Sequence, residues 1–303
     1  MRTYLDCIPC FFRQALDAAR ISGAGPILQK RVLHEVAKTL PALSLRATPP
    51  EIARTVYGIV RKATHRNDPY QKIKKQSNTL ALAMYPELRS RVSASDDHLR
   101  KAVEMAIAGN IIDYGVRNSL NIKEELKKIL RAEKDVFGKG NHAFIHYHDF
   151  SRMIRKAKNI LYLADNAGET VFDRILIEEI QKGDAHKNII YAVKESPIIN
   201  DALIGDASQC GIDRIATVVS SGSDAPGTIL SLCSREFLKM YRSADMIISK
   251  GQGNFEALSE EKKPIFFMLR AKCSVVANDI GCSLGDILLL FNRRKIKSQR
   301  GYI

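Results

Sequence analysis

The chain has no run of apolar residues approaching the roughly 18 needed for a membrane-crossing helix, which excludes a helical span. Its first residues, Met1-Arg2-Thr3-Tyr4-Leu5-Asp6, lack the apolar segment of a secretion signal, so a cytoplasmic protein is expected. Internal repeats and low-complexity tracts are absent as well. Cysteine is sparse: six residues at 7, 10, 210, 233, 273 and 282, of which only Cys7-Ile8-Pro9-Cys10 forms a closely spaced pair. Without a secretion signal these thiols are expected to be mostly reduced, and no second pair or matching histidines complete a zinc motif. The CxxC therefore stays open between thiol or metal chemistry and a buried structural role. Acidic residues are also in deficit, 33 against 47 lysines and arginines, for a net charge of +14. That sign attracts phosphates, anionic metabolites or nucleic acid.

Basic density peaks at Arg61, Lys62, Arg66, Lys72, Lys74 and Lys75, and again at Arg293, Arg294, Lys295, Lys297 and Arg300. Neither cluster sits in a recognisable nucleic-acid module, so both read first as solvated faces and nucleic acid is not the expected partner. With 303 residues and 45% hydrophobic content, the chain can bury a substantial core.

Up to about residue 131 the apolar residues recur at helical spacing, with Phe12, Ala15, Leu16 and Ala19 in one stripe and Val32, Leu33, Val36, Ala37 and Leu40 in another. Thr48-Pro49-Pro50-Glu51 is a capping-box start, and Asn121-Ile122-Lys123-Glu124 has similar logic. After about residue 143 short apolar runs alternate with helix-length segments, at 143–147, 160–164, 188–193, 215–219, 245–249 and 264–269. Such alternation predicts an α/β fold with a doubly wound, mainly parallel sheet. Two units follow: a mainly helical subdomain over 1–140 and an α/β core over 141–303.

In that topology the residues just past each strand share one sheet edge, where open α/β sheets bind ligands. The sharpest signal is the apolar run ending in Asp165-Asn166-Ala167-Gly168-Glu169. Asp and Asn oxygens there suit a hard divalent cation, and amide groups at a helix start suit a phosphate; the same residues also make an ordinary capped turn. Further along come Lys194-Glu195-Ser196, Asn200-Asp201, the small-residue loop from Ser220 through Ser221, Gly222, Ser223 and Asp224 to Thr228, and Lys250-Gly251-Gln252-Gly253-Asn254-Phe255-Glu256. Lys250, after an apolar strand and before glycine, is placed to neutralise a phosphate as a point charge. Gly251-Gln252-Gly253 lacks the full glycine fingerprint of a dinucleotide fold. His142, His146 and His148 read as a polar edge before a metal site, and Asn110 and Asp113, three apart, share a helix face with either a functional or a bridging role.

Together, Cys7-Ile8-Pro9-Cys10, Gly109-Asn110-Ile111-Ile112-Asp113, Asp165-Asn166-Ala167-Gly168-Glu169, Asn200-Asp201, Ser221-Gly222-Ser223-Asp224-Ala225-Pro226-Gly227 and Lys250-Gly251-Gln252-Gly253-Asn254-Phe255-Glu256 closely resemble the damage-control phosphatases, formerly catalogued as domain of unknown function 89, and their CxxC-bearing archaeal and bacterial branch in particular. The resemblance spans nearly the whole chain. It implies a helical portion packed on a three-layer α/β core and a metal-dependent phosphatase acting on small phosphorylated metabolites, often sugar phosphates or damaged phosphoesters. It also implies a divalent cation (Mn²⁺, Ni²⁺, Co²⁺ or Mg²⁺) held by Asp165, Asn166 and Asp201, with Lys250 contacting phosphate. Asp165, Asp201 and Lys250 are then the expected catalytic residues, and Asn110, Glu169, Ser221, Gly222 and Asp224 expected substrate contacts. A Rossmann-type methyltransferase and a basic nucleic-acid-binding protein are the alternatives. The oligomeric state and the choice between direct water attack and an aspartyl-phosphate intermediate stay open.

Overall fold

A computed structural model describes residues 1–109 and 145–292. Five helices come first: α1 (Cys7–Ile21), α2 (Pro26–Thr39), α3 (Pro49–Thr64), α4 (Gln71–Ser93) and α5 (His98–Ala108). α3 begins as its sequence dictates, with Thr48 N–H donating to Glu51 Oε2 at 2.6 Å and Pro49 at the first helical position, where its missing N–H is no loss. α1 to α3 gather round their own core, which includes Phe11, Ala15, Ala19, Val32, Val36, Val56 and Tyr57. The buried stripe of α1 is thus led by Phe11, while Phe12 and Leu16 are only half-buried. α4 and α5 bury their apolar faces in the same cluster as the sheet, against α7. The predicted domain boundary and the cap at Asn121, like Asn110, Asp113 and His142, lie outside the described residues.

The second half alternates strand and helix: α6 (Tyr147–Lys156), β1 (Asn159–Leu163), α7 (Glu169–Gly183), β2 (Asn188–Val193), α8 (Ile204–Gln209), β3 (Thr217–Ser220), α9 (Arg235–Ser243), β4 (Met246–Lys250), α10 (Gln252–Leu258), β5 (Ile265–Arg270), α11 (Ser274–Ile280) and β6 (Ile287–Phe291). They form one sheet in the order β3-β2-β1-β4-β5-β6, parallel except for β6. Ile160 and Tyr162 of β1 enter the cluster with α4, α5 and α7, whereas Leu161 and Leu163 enter the one with α9 and α11. Period-two alternation with both faces apolar is what a central strand covered by helices on each side requires, and it makes three layers.

Two expectations are corrected. Of the strand expected at 143–147, Ile145 makes a single bridge to Leu289, and Tyr147 already begins α6. His146 is accounted for there: its Nδ1 accepts from Phe291 N–H at 2.8 Å, tying it to the sheet edge. Strand β6 goes beyond the runs expected as strands, because Ile-Leu-Leu-Leu-Phe is an apolar run whose periodicity fits a buried helix segment equally well.

Candidate functional site

β1 runs to β2 on one side, and after β3 the chain crosses to β4 on the other, so the strand order reverses between β1 and β4. A crevice opens beyond the carboxyl ends of strands at such a switch point. Asp165 and Asn166 follow β1 there. Their backbone is zipped to the segment after β2: Ala202 N–H donates to Asp165 O at 2.8 Å, Ala167 N–H to Asn200 O at 2.9 Å, and Asn166 pairs with Asp201 in an antiparallel bridge. The structure therefore brings Asp165, Asn166 and Asp201 together. Asn166 Nδ2 donates to Asp165 Oδ2 at 3.0 Å and to Glu169 Oε1 at 2.9 Å, drawing Glu169 into the group.

Gly251, following β4, explains how the two strand ends fit. Its φ is +81°, and a Cβ placed on it would lie 2.0 Å from Asp165 Oδ2, so any side chain would drive the carboxylate out of position. Two residues on, Gly253 lies against Pro226, where an added Cβ would meet the Pro226 carbonyl at 2.0 Å. This packs the 226–227 turn onto the start of α10. Asn254 completes the junction: its Nδ2 donates to Ala164 O at 3.0 Å and Lys250 O at 2.8 Å, and its Oδ1 accepts from the Thr228 N–H and hydroxyl, each at 2.8 Å. Gly168 N–H, at the start of α7, is taken by Asn78 Oδ1 of α4 at 2.7 Å.

Lys250 is the last residue of β4 and is wholly buried. Its ammonium donates to Asp173 at 2.7 Å and Glu169 at 3.1 Å, and Asp173 also accepts from the hydroxyls of Tyr162 at 2.6 Å and Tyr191 at 2.7 Å. Burial would lower its pKa, but the two carboxylates outweigh that and raise it, so Lys250 is a fixed cation. At Asp165 the balance is the reverse. Burial, then the charges of Glu169 and Asp201, push its carboxyl well above the usual range, against smaller opposing contributions from Lys272 and Lys194. Burial also raises Glu169, offset in part by Lys250 and the Asn166 amide.

The loop after β3 is closer to self-contained. Gly222 N–H donates to Ser220 Oγ at 3.0 Å, Ser223 N–H to Ser221 Oγ at 3.3 Å and Ala225 N–H to Ser223 Oγ at 3.3 Å. Three of the loop's amides are thus committed to its own hydroxyls. Asp224 sits at the rim and pairs with Arg54 of α3. The same face of α3 reaches two neighbouring loops, Pro50 against Gly227 and Arg61 donating to Pro197 O at 3.2 Å, so the helical subdomain walls one side of the crevice.

Asp173, the two tyrosines, Asn78 and Lys272 join the site without having been expected there, and Asn254, part of the glycine-rich motif after β4, gains a specific role as the junction between strand ends. Asp173 had a signal, since it lies four residues from Glu169 on one helix face. Lys272 follows β5, one strand end further than those considered, and its exposed side chain acts on Asp165 and Glu169. The tyrosines read only as apolar strand residues. Among the described residues no three His, Cys, Asp or Glu side chains are gathered tightly enough to hold an ion on their own.

The model of the damage-control phosphatase ARMT1-like domain matches residues 3–288. The damage-control phosphatase PH1575 of Pyrococcus horikoshii is 32% identical, covering 98% of this chain and all of that protein. A damage-control phosphatase of Archaeoglobus fulgidus is also 32% identical, over 93% of this chain and 96% of its own length. An uncharacterized protein of Methanocaldococcus jannaschii, MJ0202, reaches 39% over 94% of both. In three dimensions the chain superposes on the crystal structure of the Pyrococcus horikoshii DUF89 protein with a TM-score of 0.88, covering 97% of this chain and all of that one at 30% identity. A family match over residues 3–288, relatives 32–39% identical along nearly their whole lengths and a shared three-dimensional fold make this chain a member of the damage-control phosphatase ARMT1-like family.

Proposed function

We propose that the protein is a divalent-metal-dependent phosphatase that hydrolyses phosphomonoesters of small cytoplasmic metabolites. The observation that carries this reading is the zipped Asp165-Asn166 and Asp201 pair at the β1/β4 switch point, where the half-buried Asp165 confronts the buried Asp201. The donor set fits Mn²⁺, Ni²⁺, Co²⁺ or Mg²⁺: it is made of hard oxygens, and mutual repulsion favours a cation among them. Asp165, Asp201 and the Asn166 carbonyl oxygen would hold it, since the Asn166 nitrogen is already committed to Asp165 and Glu169. When bound, such an ion supplies Lewis-acid polarisation of the phosphoryl oxygens and acidification of a water.

The chain's own residues position the substrate. Lys250 pins Glu169 and Asp173 in place through its two hydrogen bonds while adding positive potential at the end of β4. Lys272, at the open rim, contributes a cation to the phosphate's approach. Ser221, Gly222 and Asp224 belong to the loop that shapes the phosphate side, and α3 limits the room for the leaving group. No comparison supports the methyltransferase or nucleic-acid alternatives. The test is a metal-by-substrate screen of metal-stripped protein with an aryl phosphate and a panel of sugar phosphates. Turnover that appears only on adding a divalent ion is expected; no hydrolysis of any phosphomonoester with any of the four ions would reject the reading.

A further inference from the structure

Four lysines are buried among the described residues: Lys74, Lys187, Lys194 and Lys250. A buried ammonium is unfavourable unless carboxylates or carbonyls meet it closely. For three of the four they do. Lys74 Nζ lies 2.7 Å from Asp68, Lys187 donates to Ala157 O at 2.8 Å, and Lys250 to Asp173 at 2.7 Å.

Lys194, immediately after β2, differs. Among the described residues its ammonium meets Asn254 Oδ1 at 3.4 Å and Asp201 Oδ2 at 3.7 Å. The first contact is at the limit of hydrogen bonding, to an oxygen that already accepts twice from Thr228 at 2.8 Å. The second is beyond that limit. The main chain, by contrast, is fixed by Lys194 N–H donating to Ala202 O at 3.1 Å. Only 4% of the residue is exposed, and its charge reaches Asp165. A cation is thus held between Asp201, Asp165 and Asn254 with its hydrogen-bonding capacity largely unspent.

We propose that Lys194 is a substrate-binding residue whose absent partner is the phosphoryl group: its ammonium donates to a phosphoryl oxygen lodged between the ends of β1, β2 and β4. This rests on the phosphatase reading of that edge. It divides the labour between two lysines. Lys250 is the internal counter-ion of Glu169 and Asp173, and Lys194 is the buried lysine available to an anion from outside the chain.

The experiment uses the full-length protein with Mn²⁺ present and inorganic phosphate as probe, comparing wild type with K194M and K194R by thermal melting, phosphate inhibition and turnover of an aryl phosphate. Without phosphate, K194M should melt at or above wild type, since it removes an under-satisfied buried charge. Phosphate should raise the wild-type melting temperature and leave K194M unmoved. The phosphate inhibition constant and kcat/KM should each worsen by about 10²-fold, the loss expected when a preorganised charge is deleted, and K194R should recover part of both. A K194M protein that melts far below wild type would overturn the proposal, because the ammonium would then be a structural partner. So would an unchanged phosphate response in K194M, or none in wild type. A phosphate response abolished by K194M in a protein that hydrolyses no phosphomonoester would uphold the anion site while sinking the phosphatase reading.

Discussion

One turn apart on α7, Glu169 and Asp173 belong to two acidic clusters with opposite character. Around Asp173 every charge is answered: Lys250 and the hydroxyls of Tyr162 and Tyr191 converge on its two oxygens in a fully buried network. Around Asp165 the neighbours are two further carboxylates, and burial and repulsion both favour its neutral form. The first cluster is finished structure, since its donors and acceptors are matched within the chain. The second carries an electrostatic excess that Lys194 and Lys272 offset only in part, which makes it the candidate for chemistry. The lesson is that acidity at a sheet edge says little until the donors around it are counted.

Metal removal should break the comparison most visibly. Exhaustive chelation is expected to abolish phosphatase activity and a divalent ion to restore it, with Asp165→Ala and Asp201→Ala losing metal binding by calorimetry while circular dichroism stays native. Full turnover with no detectable metal would erase the distinction drawn at Asp165. The same cluster predicts a gain. Because the fold favours the protonated form of Asp165, ionisation at neutral pH weakens the metal-free protein, so Asp165→Asn should raise its melting temperature by a few degrees.

The finished cluster should respond in the other currency, stability. Lys250→Met leaves Asp173 and Glu169 as buried charges without their counter-ion, and denaturant titration should show a loss of about 3–5 kcal/mol. Lys250→Ala, which adds a cavity to the same loss of charge, should also lower kcat/KM by about 10²-fold, through displacement of Glu169 and loss of positive potential. A Lys250→Met protein as stable as wild type would mean that Tyr162 and Tyr191 alone suffice to bury Asp173.

A smaller, pH-dependent effect belongs to Glu256 on α10. Burial pushes its carboxyl up to about 7, against a hydrogen bond from Gln252 and the charge of the amino terminus. Unfolded, it ionises near ~4.3. Its contribution is therefore fully present below that value and lost as pH rises through about 7. Relative to Glu256→Gln, wild type should lose about 2 kcal/mol of stability between pH 5 and pH 7, allowing for the half-buried setting. Parallel pH profiles for the two proteins would refute the burial of this carboxylate.

How much of this was legible in the sequence depended on whether the signal was local. The strand at 188–193 has the expected bounds, and the other four parallel strands shift by one or two residues, because a buried run between turn residues announces itself. Asp165-Asn166 was legible for the same reason, as a polar break after such a run. Asp173 with its tyrosines was not. Tyr162 and Tyr191 are register partners across β1 and β2, and their hydroxyls meet one carboxylate only because two strands and a helix, distant in sequence, stack there. Lys194 and Lys250 likewise look alike in sequence, each a lysine ending an apolar strand; contact distances separate them.

The smallest expected effect concerns Cys7 and Cys10, on the first turn of α1. Cys7 is half-buried and Cys10 exposed; the Cys10 sulfur accepts from Gln14 Nε2 at 3.3 Å, and burial raises both thiols above their usual range. A raised pKa keeps them as thiols, the form that neither attacks nor ligates readily. Thiolates are also soft ligands, whereas the proposed ion sits among hard oxygens. A Cys7→Ser, Cys10→Ser double variant should therefore keep its metal-dependent turnover within about twofold and lose about 1 kcal/mol or less, the usual range for partly exposed substitutions. Kinetics and metal content measured on the same preparation decide the matter. Loss of activity together with one equivalent of bound metal, in a protein still folded by circular dichroism, would place the working ion at the amino terminus of α1 and remove the contrast between Asp165 and Asp173 as a guide to the site.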